Sequence, residues 1–440
     1  MPNGNSEVDE KSVLARVRRS VLPAAFLLYT FSYMDRASIS YAQLTMSADL
    51  GFDIATYGMV AAIFFLPYTL LEIPSNIVMS KVGPRLWLGR IAISWGAATM
   101  LTGFVANTSH LFIARAALGV AEAGLFPGLV LYLTYWFAPE DRGRGLVGMM
   151  LAQPVALILG GLSGGLILDH VHWFGLNSWR WVFILQGLPP MLLGLWVLWT
   201  MANRPKDARW LNPAEGAWLE RRVAAQYLQD EESHEAAGLK AFRNPRILHL
   251  ACIGLLGGVG TYGMTFFLPQ VIAQINPQYS PTNIGLVGAI PYLCGAVAMV
   301  LIGRFSDRTG NRKAVVIGCL STSVVGLCLT MAFQSTPVIG VLGLSMLAIG
   351  ILGYLAPFWA FASESMTRGQ SAVGLALINS VAATGGFFGP YLIGFVAKAI
   401  DVTFGLIVPA AALALAIALL SFVRPVRVSG LAEGADRPSN

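Results

Sequence analysis

The feature that most constrains this chain is a succession of long apolar runs, which fill most of its 440 residues. A helix needs about 20 mostly apolar residues to cross a bilayer. Runs of that length recur twelve times, and this predicts an all-α membrane protein with twelve transmembrane helices. The predicted spans are 21–43, 57–80, 87–106, 110–136, 145–168, 180–201, 247–273, 283–303, 314–334, 337–362, 370–397 and 402–423.

Composition favours a lipid environment over a water-soluble fold. Hydrophobic residues make up 55% of the sequence and charged residues 12%, whereas soluble domains carry about 25% charged residues. One soluble core would also be oversized, because cores split beyond about 250–300 residues. The four cysteines lie in apolar stretches without metal-ligand spacing, so we expect no metal site.

The lysines and arginines predict the orientation in the membrane. All but four of the 29 fall in the N-terminal segment, the even-to-odd loops or the C-terminal segment, which share one side of a twelve-span topology; Arg90, in the first turn of span 3, is counted with its adjoining loop. Arg180 and Lys398 lie on the other side, and Arg36 and Arg115 lie within spans. Cytoplasmic loops carry the excess of positive charge, so both termini are predicted to be cytoplasmic. This distribution explains the basic pI without a nucleic-acid partner.

The sequence also divides into two six-span halves. The loop Gly303–Lys313, between spans 8 and 9, is a tight turn of alternating charge, and Lys81–Arg85, between spans 2 and 3, is a degenerate copy. Transporters built from such repeats bind substrate near the bilayer midplane, between the repeats. The predicted domains are a cytoplasmic tail 1–20, an N-terminal half 21–203, a cytoplasmic linker 204–246, a C-terminal half 247–423 and a cytoplasmic tail 424–440.

Spans 1 and 4 each carry two charged residues in their interior: Asp35 and Arg36 in span 1, and Arg115 and Glu122 in span 4. Each costs about 2.5–3.5 kcal/mol at the centre of a span. Arg115 and Glu122 share a helix face but lie about 10.5 Å apart along the axis, so we expect the span 1 pair to face the span 4 pair across a cavity. Protonating an acid would release an arginine to bind a substrate carboxylate bidentately.

Two alternatives stay open for these polar residues. The four charges are either a proton-coupled anion site or a static ion-pair network that orients two helices. Glu72, in span 2, is either a third proton site or a partner in a helix-packing hydrogen bond near Pro74. Gln153, Asn379, Tyr262 and Gln270 are polar residues within spans. They either line the same cavity or make interhelical hydrogen bonds worth about 0.6 kcal/mol.

These motifs resemble known families. The two halves and the loop 303–313 resemble the major facilitator superfamily and its cytoplasmic motif. Three elements narrow the resemblance to the anion:cation symporter family, which includes sialin, the hexonate symporters, and carriers of tartrate, phthalate and 4-hydroxyphenylacetate. They are Tyr33–Arg36, Glu122–Gly128, and Asn379–Ser380 followed by Gly385–Pro390. Two runs, Tyr132–Phe137 and Ser178–Phe183, are more similar to the tartrate, phthalate and hydroxyphenylacetate branch.

The resemblance implies a role for each site residue. Asp35 and Glu122 would bind protons, Arg115 would couple the carboxylates, and Arg36 would bind the anion. The hexonate symporters place substrate contacts at positions matching Tyr33, Tyr68, Gln153, Trp359 and Asn379, and we add Tyr262 from its place beside Pro269. The gating residues of the cytoplasmic motif would be Gly303, Asp307, Arg308, Gly310, Arg312 and Lys313.

The expected substrate is a small organic carboxylate: tartrate-like, an aromatic acid or a sugar acid. Ala356 and Phe358 stand where hydroxyl residues would suit a polyol, which favours a shorter or aromatic acid. We therefore expect a proton symporter in the bacterial inner membrane, monomeric, with no cofactor beyond the proton gradient.

Other functions are less well supported by the sequence. Nothing in it resembles an enzyme's nucleophile, zinc ligands or phosphate-binding loop, so we expect no enzyme. An exchanger is the alternative within transport, and a transport-fold sensor is the alternative outside it.

Overall fold

A computed structural model of the protein describes residues 9–138, 148–227, 243–366 and 368–423. Within these ranges the regular elements are helices, and no strand is present. Each predicted span coincides with one helix or with two consecutive helices, as the all-α prediction requires. In the first half, span 1 is Glu10–Leu50, span 2 is Ile54–Ile63 with Phe65–Val82, span 3 is Pro84–Thr102, span 4 is Thr108–Glu122 with Leu125–Thr134, span 5 is Ala152–His170 and span 6 is Ser178–Thr200.

The second half has the same order of elements. Span 7 is Pro245–Ile275, span 8 is Pro281–Thr309, span 9 is Arg312–Ala332, span 10 is Pro337–Gly353 with Leu355–Glu364, span 11 is Arg368–Ala399 and span 12 is Ile407–Phe422. We call the membrane face near Asp9 and Gly310 the terminal face, and the face near Gly51 and Lys398 the far face.

Ten of these spans are long and apolar enough to cross a membrane on those two criteria alone, in the part of the chain that the structure describes. Spans 1 and 3 are the exceptions. Span 1 carries Asp35 and Arg36 at its centre, and span 3 carries Arg85 and Arg90 near its start. Asp35 and Arg36 thus lower the apolarity of span 1, and they are also two of the residues from which we predict function.

Span 1 and the linker differ from the expected outline. Span 1 begins at Glu10, inside the segment 1–20 predicted as a tail. The linker contains a helix, Pro213–Tyr227, held to span 1 by an ion pair between Arg16 and Glu215 and by one between Arg222 and Glu10 (3.0 Å). The hydrogen bond from Arg16 lowers the pKa of Glu215. The linker helix therefore packs on the first turns of span 1 at the terminal face.

Span 4 is broken directly after Glu122, at Ala123 and Gly124. Gly124 has a φ of 84°, in the left-handed region that favours glycine. The Ser75 hydroxyl donates to the freed carbonyl of Ala123 (2.7 Å), so the break is satisfied inside the protein. Span 10, which occupies the same place in the second half, is interrupted at Tyr354.

The loops at the terminal face show the repeat in their contacts. Lys313, after the 8–9 turn, donates to the carbonyls of Ser421 and Val423 at the end of span 12 (both 2.8 Å). Arg85, after the 2–3 turn, donates to the Leu198 carbonyl at the end of span 6 (2.5 Å). A basic residue thus binds the end of the sixth helix in each half.

The two halves close against each other toward the far face. Span 2 packs on span 11, and span 5 on span 8. A Cβ at Gly58 would clash with the carbonyl of Pro390, and one at Gly285 with the carbonyl of Gly161. The helices cross at backbone distance, as small residues allow in membrane interfaces.

Polar contacts reinforce this far-face closure. Asp53 and Lys398 form an ion pair (2.8 Å) that joins the start of span 2 to the end of span 11. This hydrogen bond from Lys398 is the largest of the causes that lower the pKa of Asp53. The other three contacts are hydrogen bonds from the Tyr57 hydroxyl to the Phe266 carbonyl (2.6 Å), from Gln270 Nε2 to the Ser40 carbonyl (2.8 Å), and from the Thr282 amide to Asp169 (2.8 Å).

Candidate functional site

A cavity lies between the halves, on the terminal-face side of these contacts. Its volume is about 130 Å³, small beside the ~300–1,000 Å³ of typical ligand pockets. Eight residues from spans 1, 2, 4 and 5 and eleven from spans 7, 10 and 11 line it. The lining includes eight aromatic residues: Tyr29, Tyr33, Tyr68, Phe126, Tyr262, Tyr354, Phe358 and Trp359.

Arg36 is the charged residue of the predicted quartet that lines this cavity. Its Nη2 donates to Glu122 Oε1 (2.8 Å), and the Ser32 hydroxyl donates to the same oxygen (2.6 Å). The guanidinium carbon lies 4.8 Å from the ring centroid of Tyr33 and 5.2 Å from that of Tyr68. One carboxylate and two aromatic rings therefore hold Arg36 in the cavity wall.

Behind Arg36, Glu122 is fully buried, with 0% of its surface exposed. Its second oxygen, Oε2, has no hydrogen-bond partner among the described residues. The break in span 4 begins at the next residue, so Glu122 ends a helix rather than lying inside one. The Arg36–Glu122 pair joins spans 1 and 4 directly.

Asp35 and Arg115 lie deeper in the first half. The Thr99 hydroxyl of span 3 donates to Asp35 Oδ1 (2.5 Å), and Oδ2 has no partner in the described structure. Arg115 lies over the Phe64 ring (5.2 Å), and neither its Nε nor its Nη2 has a partner among the described residues. The same ring lies 5.5 Å from the guanidinium of Arg36, so Phe64 separates the two arginines.

This arrangement differs from the expected one, in which the two pairs face each other across a cavity. Asp35, Arg115 and Glu122 do not line the cavity, and only Arg36 of the quartet is among its described lining residues. Asp35 instead accepts a hydrogen bond from Thr99 of span 3. Arg36 is therefore the member of the quartet that faces the cavity, and the acid that holds Arg36 is shielded from it. A proton reaching Glu122 would weaken its hold on Arg36 and free donors for an incoming anion.

All seven residues predicted to bind substrate line the cavity. They are Arg36, Tyr33, Tyr68, Gln153, Tyr262, Trp359 and Asn379. Their contact with a substrate stays a prediction. Phe358 also lines the cavity, whereas Ala356 does not and instead faces Gly303 of span 8.

Other lining residues were missed from the sequence. Tyr29 lies one turn before Tyr33, and the two hydroxyls are 3.4 Å apart. Phe126 follows the break in span 4, and Tyr354 marks the break in span 10. Helical spacing from Tyr33 could have indicated Tyr29, but the two breaks give no clear sequence signal. Glu72 is a further lining residue, and one of its oxygens is buried without a partner among the described residues.

The predicted gating loop forms an ion-pair network at the terminal face. Arg312 bonds both Asp307 (2.9 Å) and Glu364 at the end of span 10 (2.5 Å). Gly310 ends span 8 with a φ of 66°, and Arg308 and Gly303 lie on the preceding turns. Through these two acids, Arg312 joins spans 8, 9 and 10.

Comparison with known proteins identifies the family. The sequence model of the Major Facilitator Superfamily matches residues 25–276 and 274–439. This chain belongs to the major facilitator superfamily. The twelve-span prediction is thereby confirmed, as is the resemblance drawn from the motifs.

Relatives of this superfamily member carry transporter names. It is 36% identical to a "Putative tartrate transporter" of Agrobacterium vitis, with 89% of each chain covered. It is 34% identical to a quinolone resistance transporter of Acinetobacter baumannii, with 88% of each chain covered. It is 30% identical to the inner membrane transport protein RhmT of Escherichia coli, over 87% of this chain and 88% of that protein.

Solved structures share the fold. A bacterial homologue of the lysosomal transporter Spinster, in an inward-facing conformation, superposes with a TM-score of 0.74 at 17% identity, over 92% of this chain and 96% of that one. The xylose transporter XylE of Escherichia coli, in a partially occluded inward-open conformation, superposes with a TM-score of 0.73 at 16% identity, over 92% and 99%. The family and its relatives are transporters rather than enzymes.

Proposed function

We propose that this superfamily member imports a small organic carboxylate together with protons by alternating access. The observation that carries the proposal is the Arg36–Glu122 pair, in which a guanidinium of the cavity wall contacts a buried acid. A guanidinium whose partner can be neutralised by a proton links anion binding to proton binding. The names of the tartrate transporters support a carboxylate substrate.

The proposed cycle assigns each residue one task. The substrate carboxylate binds Arg36 while a proton resides on Glu122, so the net charge at the pair stays constant. Asp35 is a second proton site, reached through its hydrogen bond with Thr99. Arg115, which is buried in the same half behind the cavity wall, couples the proton occupancy of the two acids.

The placement in the cell belongs to the same proposal. The excess of lysine and arginine on the terminal face supports cytoplasmic termini, and the cavity then opens toward the cytoplasm. We propose a monomer in the bacterial inner membrane, with no cofactor other than the proton gradient. The gating role of Arg312 and its neighbours rests on the network that joins spans 8, 9 and 10.

The test is uptake of labelled tartrate, and of other small carboxylates, into liposomes that contain the purified protein. We expect accumulation when the outside is acid, and loss of that accumulation when a protonophore collapses the gradient. Glu10→Gln, which alters an exposed acid far from the cavity, is the control and should accumulate substrate normally. Accumulation that survives collapse of the gradient would contradict proton coupling.

Exchange is the second candidate function. It is favoured by the name of the Acinetobacter baumannii relative, a quinolone resistance transporter, which denotes resistance rather than uptake. The same liposomes distinguish the two functions. An exchanger would require a carboxylate inside the vesicle and would show no net accumulation without one, whereas a symporter would fill empty vesicles.

A further inference from the structure

Glu72 is a cavity residue that the cycle above does not use. It lies in the second helix of span 2, one turn beyond Tyr68, and 5% of its surface is exposed. Its Oε2 is buried and has no hydrogen-bond partner among the described residues. The amide of Asn76 donates to its backbone carbonyl (2.8 Å) and not to its carboxylate.

A buried carboxylate without a donor is costly, more so in a membrane. The other two acids buried in the first half each accept at least one bond: Glu122 from Arg36 and Ser32, and Asp35 from Thr99. The helix-packing alternative for Glu72 would supply such a partner, and no described residue does so at Oε2. The cavity is the side from which a donor can approach.

Arg36 and Glu72 are the two charged residues in the described lining of the cavity, and they lie at different depths. Arg36 lies against the Tyr68 ring (5.2 Å). Glu72 follows Tyr68 by four residues on the same helix face, so it lies about 6 Å closer than Tyr68 to the terminal face. Both residues line the cavity, so a substrate of a few heavy atoms whose carboxylate binds Arg36 would present its other end to Glu72.

We propose that Glu72 is a specificity-determining residue: its carboxylate accepts a hydrogen bond from a hydroxyl of the substrate, so that the site selects hydroxy-carboxylates over the same acids without the hydroxyl. This inference rests on the proposed function and extends it to the substrate class. A site built to bond a hydroxyl rejects the analogue that lacks it, because the buried acceptor is left unpaired.

Binding to the purified full-length protein tests the proposal with two matched pairs of ligands. Tartrate and succinate have the same four-carbon dicarboxylate chain with and without hydroxyls, and 4-hydroxyphenylacetate and phenylacetate differ by one. For at least one pair, the wild type should bind the hydroxylated member about tenfold or more tightly, as expected for a hydrogen bond to a charged group. Glu72→Met should bring that ratio to within about twofold and leave the affinity for the other member unchanged.

A second variant separates bonding from packing. Glu72→Gln keeps the size and a neutral acceptor, so its ratio should lie between those of the wild type and Glu72→Met. Equal loss of affinity for both members of a pair in Glu72→Met, with the ratio kept, would overturn the proposal. A changed pH dependence of uptake with the ratio kept would overturn it too, in favour of a third proton site.

The two proposals fail in different ways. If the wild type accumulates carboxylates under a proton gradient but binds each unhydroxylated member as tightly as its partner, the role of Glu72 is wrong and proton-coupled uptake stands. If the wild type takes up no carboxylate in any condition, both proposals are wrong.

Discussion

The first and second halves each form one wall of the cavity, and the two walls differ in the charge of their side chains. The described structure contains five buried charged residues, and all of them belong to the first half: Asp35, Arg36, Glu72, Arg115 and Glu122. The described wall from the second half is made of aromatic rings, glycines, alanines and one leucine, with Thr261 and Asn379 as its polar side chains besides the aromatic ones. The Thr261 hydroxyl is already used within its own helix, by the Gly257 carbonyl (3.1 Å).

This difference divides the work between the halves. Charge inside a membrane is expensive and has to be paired or hydrogen-bonded, and the first half gathers it around the break in span 4. The second half offers surfaces that exclude water and fit a solute by shape. Proton and anion binding would then be properties of one half, and selection by shape a property of the other.

The largest expected effect is at Arg36. Arg36→Lys keeps the charge but loses the planar fork that binds a carboxylate with two hydrogen bonds. Because each bond to a charged group is worth about 1.5–3 kcal/mol, losing one of them should weaken carboxylate binding about ten- to a hundredfold. Equilibrium binding of tartrate and 4-hydroxyphenylacetate measures this, with Arg209→Lys in the exposed linker segment as the matched control. Normal binding by Arg36→Lys would show that the guanidinium of Arg36 is not what binds the carboxylate.

The next effect concerns the two acids. Glu122→Gln and Asp35→Asn cannot be deprotonated, so each should abolish accumulation driven by a pH gradient. Exchange of labelled for unlabelled substrate needs no net proton movement and should persist at a measurable rate. Uptake and counterflow in the same liposomes give both readings. Two variants that still concentrate substrate like the wild type would show that the charges are a static network.

The prediction for the second half is smaller. Asn379→Ala removes one amide from a wall without a charged side chain among its described residues, which should weaken binding by about three- to tenfold, as for one neutral hydrogen bond. The pH dependence of uptake should not change, because no titrating group is altered. Equilibrium binding measures the loss of affinity, and a pH profile of uptake measures whether the pH dependence has changed. A loss as large as that of Arg36→Lys, or a displaced pH profile, would break the contrast between the walls.

The sequence predicted the fold well because the length and apolarity of a span are local properties, visible in each run of residues. It also predicted which cavity residues would meet, through motifs in spans 1, 4 and 11. It did not predict which face Asp35 presents, because the direction toward Thr99 depends on how span 1 is rotated against span 3. Likewise, pairing of Glu364 with Arg312 depends on how the end of span 10 meets the turn after span 8.

The smallest effect concerns the contact that holds the two halves together at the far face. Asp53 and Lys398 are both partly exposed (43% and 62% for their side chains), and such pairs contribute little, about 0–1 kcal/mol, and less at high salt. Asp53→Asn should therefore shift the balance toward a form open at the far face by no more than a few-fold. The measurement is labelling of a cysteine placed on the far-face side of the cavity.

Lys398→Gln, which removes the other charge of the same ion pair, is the matched variant, and it should change the labelling rate to the same small extent. The sign of the pH dependence follows from the lowered pKa of Asp53. Its contribution is present above the ordinary carboxyl pKa and is lost only when the pH falls below that range. The labelling rate of the wild type should thus stay constant across neutral and mildly acid pH. A rate that rises as the pH falls through mildly acid values would mean that the buried acids of the first half, and not this ion pair, decide when the far face opens.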